Sequence, residues 1–90
     1  MQMTDVQIDA VKYRGRVMGA EADGRINDQE VMSLKYDFEY FQNKHGYSFN
    51  RAIDSMVSSG KLDRNVMRWV MDVRLPFNYS PPTSVTRTHT

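Results

Sequence analysis

The chain has 90 residues, of which 12 are Lys or Arg and 11 are Asp or Glu, and it contains no cysteine. A chain of this length forms at most one small domain, and the missing cysteines exclude disulfides, thiolate metal sites and a cysteine nucleophile. The formal charge of +1 argues against a general polyanion binder. Since no apolar stretch approaches the ~18 residues that span a bilayer and no secretory signal pattern opens the chain, we expect neither membrane insertion nor signal-dependent secretion.

Helix-start and helix-stop signals recur four times, and alternating β-branched runs are absent. Thr4 with Gln7, and Asn27 with Glu30, match the capping box, in which two side chains satisfy each other's backbone amides. These signals predict an all-α fold, a small bundle of about four helices over residues 4–22, 27–45, 48–59 and 63–75.

The first predicted helix has two sets of apolar residues. One set follows a helical stripe and a second lies beside it: Val6, Ala10, Tyr13, Val17 and Ala20, then Ile8, Val11 and Met18. Gly15 and Gly19 weaken a helix by up to ~1 kcal/mol each relative to Ala. Because they lack side chains, we expect them to admit a neighbouring helix closely.

The later helices have clear boundary residues. Gly46 suits the position just past the end of the second helix, Ser48 is the predicted cap of the third, and Asp63 that of the fourth. Pro76 is expected to end the fourth helix near residue 75, because the residue before proline disfavours the helical region.

The composition changes after the helical domain of residues 1–75. Residues 76–90 hold all three prolines and many Ser and Thr residues, and Pro81-Pro82 favours an extended conformation. Such a segment buries too little surface to order itself. We therefore expect an extended tail that docks on a partner or a neighbouring subunit.

The segment Gly19–Glu30 resembles the twelve-residue calcium loop of an EF-hand, and its Ala-Asp-Gly-Arg-Ile-Asn core also resembles the helix-turn-helix corner of TerB-type helical domains. The EF-hand resemblance implies calcium ligands at Glu21, Asp23, Asn27 and Glu30. Gly19 stands where the first ligand, an Asp, is expected. We therefore predict no metal site of ordinary strength, and keep a weak calcium site as an alternative to a simple capped turn.

Residues 48–75 also have the lengths of a DNA-binding helix-turn-helix. Arg64, Asn65 and Arg68 would then lie near the start of the second helix, where base-contacting side chains sit. Asp63 and the small charge excess disfavour nucleic acid, since affinity for DNA rests largely on phosphate contacts. The alternative is a solvated hairpin in which Arg68 pairs with Asp72.

Catalytic residues are scarce in the sequence. The two histidines are His45, expected to be exposed at a helix end, and His89 in the tail, and Asp9 with Lys12 forms an ordinary surface pair. No Ser-His-acid set can be placed around either histidine. We expect no enzymatic activity and no cofactor.

Aromatic residues suggest a contact surface instead. Tyrosine combines apolar area with a hydrogen-bonding tip and is enriched at protein interfaces. The predicted partner-binding residues are Tyr36, Tyr40, Phe77, Tyr79, Pro81 and Pro82. The alternative is that the tail covers the two α-helical tyrosines within the chain itself.

These observations favour a non-enzymatic structural or adaptor protein that binds protein partners, either as a homo-oligomer or on a larger assembly. A short, cysteine-free, Met-rich chain with a Ser/Thr/Pro tail is similar in style to small bacteriophage proteins. That resemblance implies a virion component of the neck, tail or internal capsid, located in the virion or the cytoplasm. The alternative is a phage-encoded regulator that inhibits a host enzyme.

Overall fold

The computed structural model describes residues 2–80, and within that range it contains four α-helices and no strand. They are α1 (Asp5–Glu21), α2 (Asp28–His45), α3 (Tyr47–Ser58) and α4 (Arg64–Asp72). α2 packs against each of the other three helices, and α1 also packs against α3. The predicted all-α fold is confirmed. None of the helices in this range has the length and apolar character needed to cross a bilayer.

Both predicted capping boxes are confirmed. The Thr4 hydroxyl accepts from the Gln7 N–H at 3.2 Å while the Gln7 side chain accepts from the Thr4 N–H at 2.9 Å. The same exchange joins Asn27 and Glu30 at 2.9 and 3.0 Å. Because each box satisfies amides that have no partner inside the helix, it fixes the first residue of α1 and α2.

The predicted cap at Ser48 is wrong. α3 begins one residue earlier, at Tyr47, and no side chain caps it. Gly46, at φ +71°, connects α2 directly to α3. Its N–H donates to the Gln42 carbonyl at 2.7 Å and its carbonyl accepts from the Phe49 N–H at 3.1 Å. One glycine with a positive φ therefore ends one helix and starts the next, which leaves no position for a separate cap.

The fourth helix ends at Asp72, earlier than the predicted residue 75. The Lys35 ammonium donates to the Met71 carbonyl at 2.8 Å, and Val73 adopts an extended conformation. A cation on a terminal carbonyl satisfies a group that would otherwise need a further turn of helix. The helix can therefore end before Pro76, the residue that was predicted to terminate it.

The core lies where α1, α2 and α3 meet, and α4 closes one side of it. Tyr13, Phe38 and Phe49 pack edge to face, with ring centroids 5.1–5.9 Å apart. The Tyr13 hydroxyl donates to the Leu34 carbonyl at 2.9 Å, which satisfies the polar end of a fully buried ring. The buried apolar residues are Ala10, Tyr13, Val17, Val31, Leu34, Phe38, Phe41, Phe49, Ile53, Leu62, Met67 and Val70.

Candidate docking surface

The segment after α4 folds back onto α2. Val73 and Leu75 are half-buried, and Val73 packs against the core. The Tyr79 N–H donates to the Pro76 carbonyl at 3.0 Å and closes a turn. The Tyr79 ring then lies 5.8 Å from the ring of Tyr36 on α2, at an interplanar angle of 45°. Within the described residues, the first part of the predicted tail is thus held against the helical domain.

The phenol of Tyr79 enters a partly polar environment. Burial raises the pKa of Tyr79, the negative charge of Asp37 raises it further, and the polar side chain of Ser33 offsets part of the rise. Burial also raises the pKa of Asp37, although Arg16, 3.4 Å away, opposes the shift. In both groups the main cause is burial, which disfavours the charged form of an acid.

Phe77 differs from its neighbours in this segment because it lies at the tip of the turn with its side chain wholly exposed. It borders a groove of about 500 Å³ between α2 and the C-terminal segment. The groove is lined by both apolar and charged side chains: Lys35, Tyr36, Glu39, Val73, Arg74, Leu75, Pro76 and Tyr79, with Phe77 at its edge. We call Tyr36, Phe77, Tyr79 and this groove the C-terminal surface.

Of the other predicted partner-binding residues, the structure describes only Tyr40, which does not join this surface. Tyr40 is 58% exposed on α2 and packs edge-on against Phe41, but it does not line the groove. Pro81 and Pro82 lie outside the described residues. The surface therefore combines one of the two predicted helical tyrosines with the two predicted aromatic residues that precede the prolines.

Two of the four residues predicted as calcium ligands bind other groups of the chain. The side chains of Asn27 and Glu30 are engaged in the capping box of α2, and Glu21 is the last residue of α1. Asp23 is exposed and precedes Gly24, whose φ of +89° forms the predicted turn. Over residues 2–80, no three His, Cys, Asp or Glu side chains cluster to hold a metal ion.

The residues predicted to contact DNA are exposed at the start of α4. Arg64, Asn65 and Arg68 lie on its solvent side. The Asp63 carboxylate accepts from the Asn65 and Val66 N–H groups at 2.8 and 3.1 Å, so an acid occupies the helix end that would meet a phosphate. The expected Arg68–Asp72 ion pair is absent from the described part of the chain.

The structure contains one polar cluster that the sequence analysis did not predict. The Asp9 carboxylate is 5% exposed and lies 2.6 Å from Nε2 of His45 and 3.1 Å from Nζ of Lys44, both on α2. The expected partner Lys12 is at 4.0 Å. His45 is mostly buried and stacks against Phe49, so the expectation that it is exposed was wrong.

The electrostatics of this cluster favour the ionised carboxylate. Burial raises the pKa of Asp9, but hydrogen bonds and the positive charges of His45 and Lys44 outweigh burial and lower it overall. The cluster thereby ties α1 to the end of α2. The sequence did contain an indication of this cluster. Asp9 lies three residues after Val6 and four before Tyr13, so helical spacing places it at the edge of the buried stripe of α1.

Comparison of the chain with protein-family models, with curated proteins and with solved structures found no significant match.

Proposed function

We propose that this chain is a non-enzymatic adaptor that docks on a larger protein assembly through its C-terminal surface. The observation that carries the proposal is the contrast between Phe77 and the residues that hold it. Tyr79 is seated on Tyr36, and Val73 packs on the core, so the backbone on both sides of Phe77 is anchored. The phenyl ring between these anchors is nevertheless left fully in solvent.

An exposed aromatic ring on an anchored backbone suits protein binding. Aromatic residues that insert into a partner's pocket dominate many interfaces, and a ring held in place before binding loses little conformational entropy on docking. The adjoining groove offers the partner a concave surface with two cations, Lys35 and Arg74, and one anion, Glu39, on its lining. This mixture favours a protein partner over a nucleic acid, for which a concentration of cations would be needed.

The test places a photo-crosslinking phenylalanine analogue at position 77 and expresses the chain in its native cells. The matched control carries the same analogue at Tyr47, which is 70% exposed on α3. We expect one discrete adduct in a fixed ratio from position 77, none from position 47, and loss of partner co-purification in Phe77→Ala. Equal labelling at both positions, or none at either, would contradict the proposal.

The identity of the assembly stays a prediction. A bacteriophage virion component should co-purify with particles in a constant number of copies. The alternative, a regulator of a host enzyme, should instead form a small complex of defined mass with one protein. The size of the native complex that contains the adduct, a particle or a small complex, therefore distinguishes the two.

A further inference from the structure

The chain between α4 and the turn that follows it is extended. Val73 adopts an extended conformation, and the residue before a proline, here Leu75, favours the same region. Burial alternates along the chain, because Val73 and Leu75 are half-buried while Arg74 and Pro76 are exposed. This period of two is expected of an extended chain with one side packed on the domain. We call residues 73–76 the extended segment.

The backbone of the extended segment is largely unpaired. Its first N–H, that of Val73, donates to the last turn of α4, and its last carbonyl, that of Pro76, accepts from Tyr79. Within residues 2–80, the N–H and carbonyl groups of Arg74 and Leu75 form no hydrogen bond with other backbone groups. A row of unpaired backbone groups on an extended chain is a template on which a second extended chain can pair.

The turn after the extended segment uses one of its two edges. Successive residues of an extended chain direct their backbone groups to opposite edges, so the groups of Leu75 lie on the edge opposite the Pro76 carbonyl. Because the Tyr79 N–H binds this carbonyl at 3.0 Å, the turn directs the chain to the Pro76 edge. A hairpin continued from the turn would therefore pair with that edge. The Leu75 edge is left for an extended chain that does not follow from the turn.

The side chains of the extended segment indicate which chain suits this edge. Val73 and Leu75 are apolar and half-buried, whereas Arg74 between them is exposed and forms no ion pair within residues 2–80. The adjoining groove is lined by a further cation, Lys35, and by one anion, Glu39. Side chains directly opposite each other on antiparallel chains interact, and opposite charges favour the pairing. The complementary chain therefore has the pattern apolar–acidic–apolar.

We propose that the Leu75 edge of the extended segment pairs with an extended, antiparallel peptide segment of the partner, in which an acidic residue lies between two apolar ones. The acid faces Arg74, and the apolar residues face Val73 and Leu75. This inference rests on the proposed function, because it assigns the part of the partner that the C-terminal surface binds. In such pairing the main-chain hydrogen bonds supply affinity and alternate side chains supply specificity.

Titration of the isotopically labelled full chain with a synthetic peptide, followed by nuclear magnetic resonance, tests the pairing. The probe is acetylated, amidated Ser-Val-Glu-Val-Ser, added up to millimolar concentration. We expect the amide signal of Leu75 to shift and its hydrogen exchange to slow. The amide of Tyr47, which is exposed on α3 and does not line the groove, is the control and should not change.

The charge of the central residue tests the specificity. Ser-Val-Lys-Val-Ser should bind the wild-type chain several-fold more weakly than the glutamate peptide, because like charges on opposite positions disfavour pairing. Arg74→Glu should reverse this preference. Equal binding of both peptides by the wild type would contradict the predicted pattern.

N-methylation of the peptide distinguishes backbone pairing from side-chain contact. In the antiparallel register the N–H groups of the two valines point to the extended segment and that of the glutamate points away. Methylating a valine N–H should weaken binding about tenfold, the effect of one lost hydrogen bond and an unpaired carbonyl. Methylating the glutamate N–H should change it by less than about twofold. Equal effects, or the reverse order, would contradict the proposed pairing.

A matched pair of variants tests the same hydrogen bond from the protein side. Leu75→Pro removes both the side chain and the N–H, whereas Leu75→Ala removes the side chain and keeps the N–H. We expect the proline variant to bind the glutamate peptide about tenfold more weakly than the alanine variant. Circular dichroism of both confirms that a lost interaction does not reflect a lost fold. Similar affinities would mean that the N–H of Leu75 takes no part.

Two further results would overturn the inference. A Leu75 amide that is already protected from exchange in the chain alone would mean that this edge is paired without a partner. A glutamate peptide that does not bind at all would also exclude the pairing. The crosslinking test at position 77 is independent of both: an adduct there without peptide pairing would remove this inference and leave the docking function, whereas failure of both tests would remove both.

Discussion

The two faces of α1 have similar apolar content but different surroundings. On the inner face, Tyr13 and Val17 are fully buried against α2 and α3. On the outer face, Val11 and Met18 have about half of their surface in solvent. Both sets follow helical spacing in the sequence, so periodicity alone does not distinguish the face that builds the domain from the face available to another molecule.

The difference between the faces lies in their polar and small residues. The inner face contains a buried hydroxyl and a buried carboxylate, Tyr13 and Asp9, and each has a specific partner on α2. The outer face contains two glycines, Gly15 and Gly19, and within the described residues a Cβ atom on either would meet no heavy atom within 4 Å. Satisfied polar groups fix how α1 sits on its own domain, whereas no packing within residues 2–80 requires these glycines.

The largest test of this contrast compares Tyr13→Ala with Met18→Ala. Removing the Tyr13 ring opens a cavity beside Phe38 and Phe49, and we expect a loss of ~3–5 kcal/mol in the free energy of unfolding. Met18→Ala should change it by less than ~0.5 kcal/mol in the monomer. Urea denaturation at low protein concentration measures both. Losses of similar size would mean that the outer face contributes to the fold.

A second test removes the buried charge from the inner face. Asp9→Asn leaves Lys44 and His45 without their anion, and we expect a loss of ~1–3 kcal/mol at pH 7. Asp54→Asn on α3, where the carboxylate is exposed, is the matched control and should change the stability by less than ~0.5 kcal/mol. A near-neutral Asp9→Asn would show that burial of Asp9 cancels its hydrogen bonds.

The contribution of Asp9 should also depend on pH. Its pKa in the folded chain lies below the ordinary value of 3.8, so the folded state favours the ionised form. The stabilisation is therefore fully present above pH ~4 and is lost as the pH falls through the folded-state pKa. The stability difference between wild type and Asp9→Asn should shrink from pH ~4 to ~2. A difference that grows over this range would contradict the assignment.

Local signals in the sequence were enough to predict the helices. The boxes at Thr4 and Asn27 each involve residues three apart, so the pattern is visible without the fold. The last residue of α4 could not be predicted from the sequence, because the end of this helix depends on Lys35. That side chain is 36 residues away from the carbonyl that it binds. The cap predicted at Ser48 is wrong for a local reason, since Gly46, two residues earlier, already connects α2 to α3.

The candidate sites depend even more on distant residues. Asp9 and His45 are 36 residues apart, and the sequence offers Lys12 as a nearer partner for Asp9. Tyr36 and Tyr79 were predicted to bind a partner, with packing of the tail on the helical tyrosines as the alternative, and within the described residues these two rings are in contact. The sequence pointed to these aromatic residues, but only the folded chain shows that Phe77 is left exposed between its anchored neighbours.

The smallest expected effect has the opposite sign and separates the two faces most directly. Gly15→Ala adds a methyl group where no heavy atom lies within 4 Å, and alanine favours a helix interior over glycine, so we expect a gain of ~0.5–1 kcal/mol in monomer stability. Ala10→Gly on the inner face should instead lose at least as much, because Ala10 is fully buried and its methyl contacts are lost as well. Thermal unfolding measures both. A loss of stability in Gly15→Ala would mean that α1 already has a neighbour at this glycine, and the outer face would then belong to the packed core of the fold.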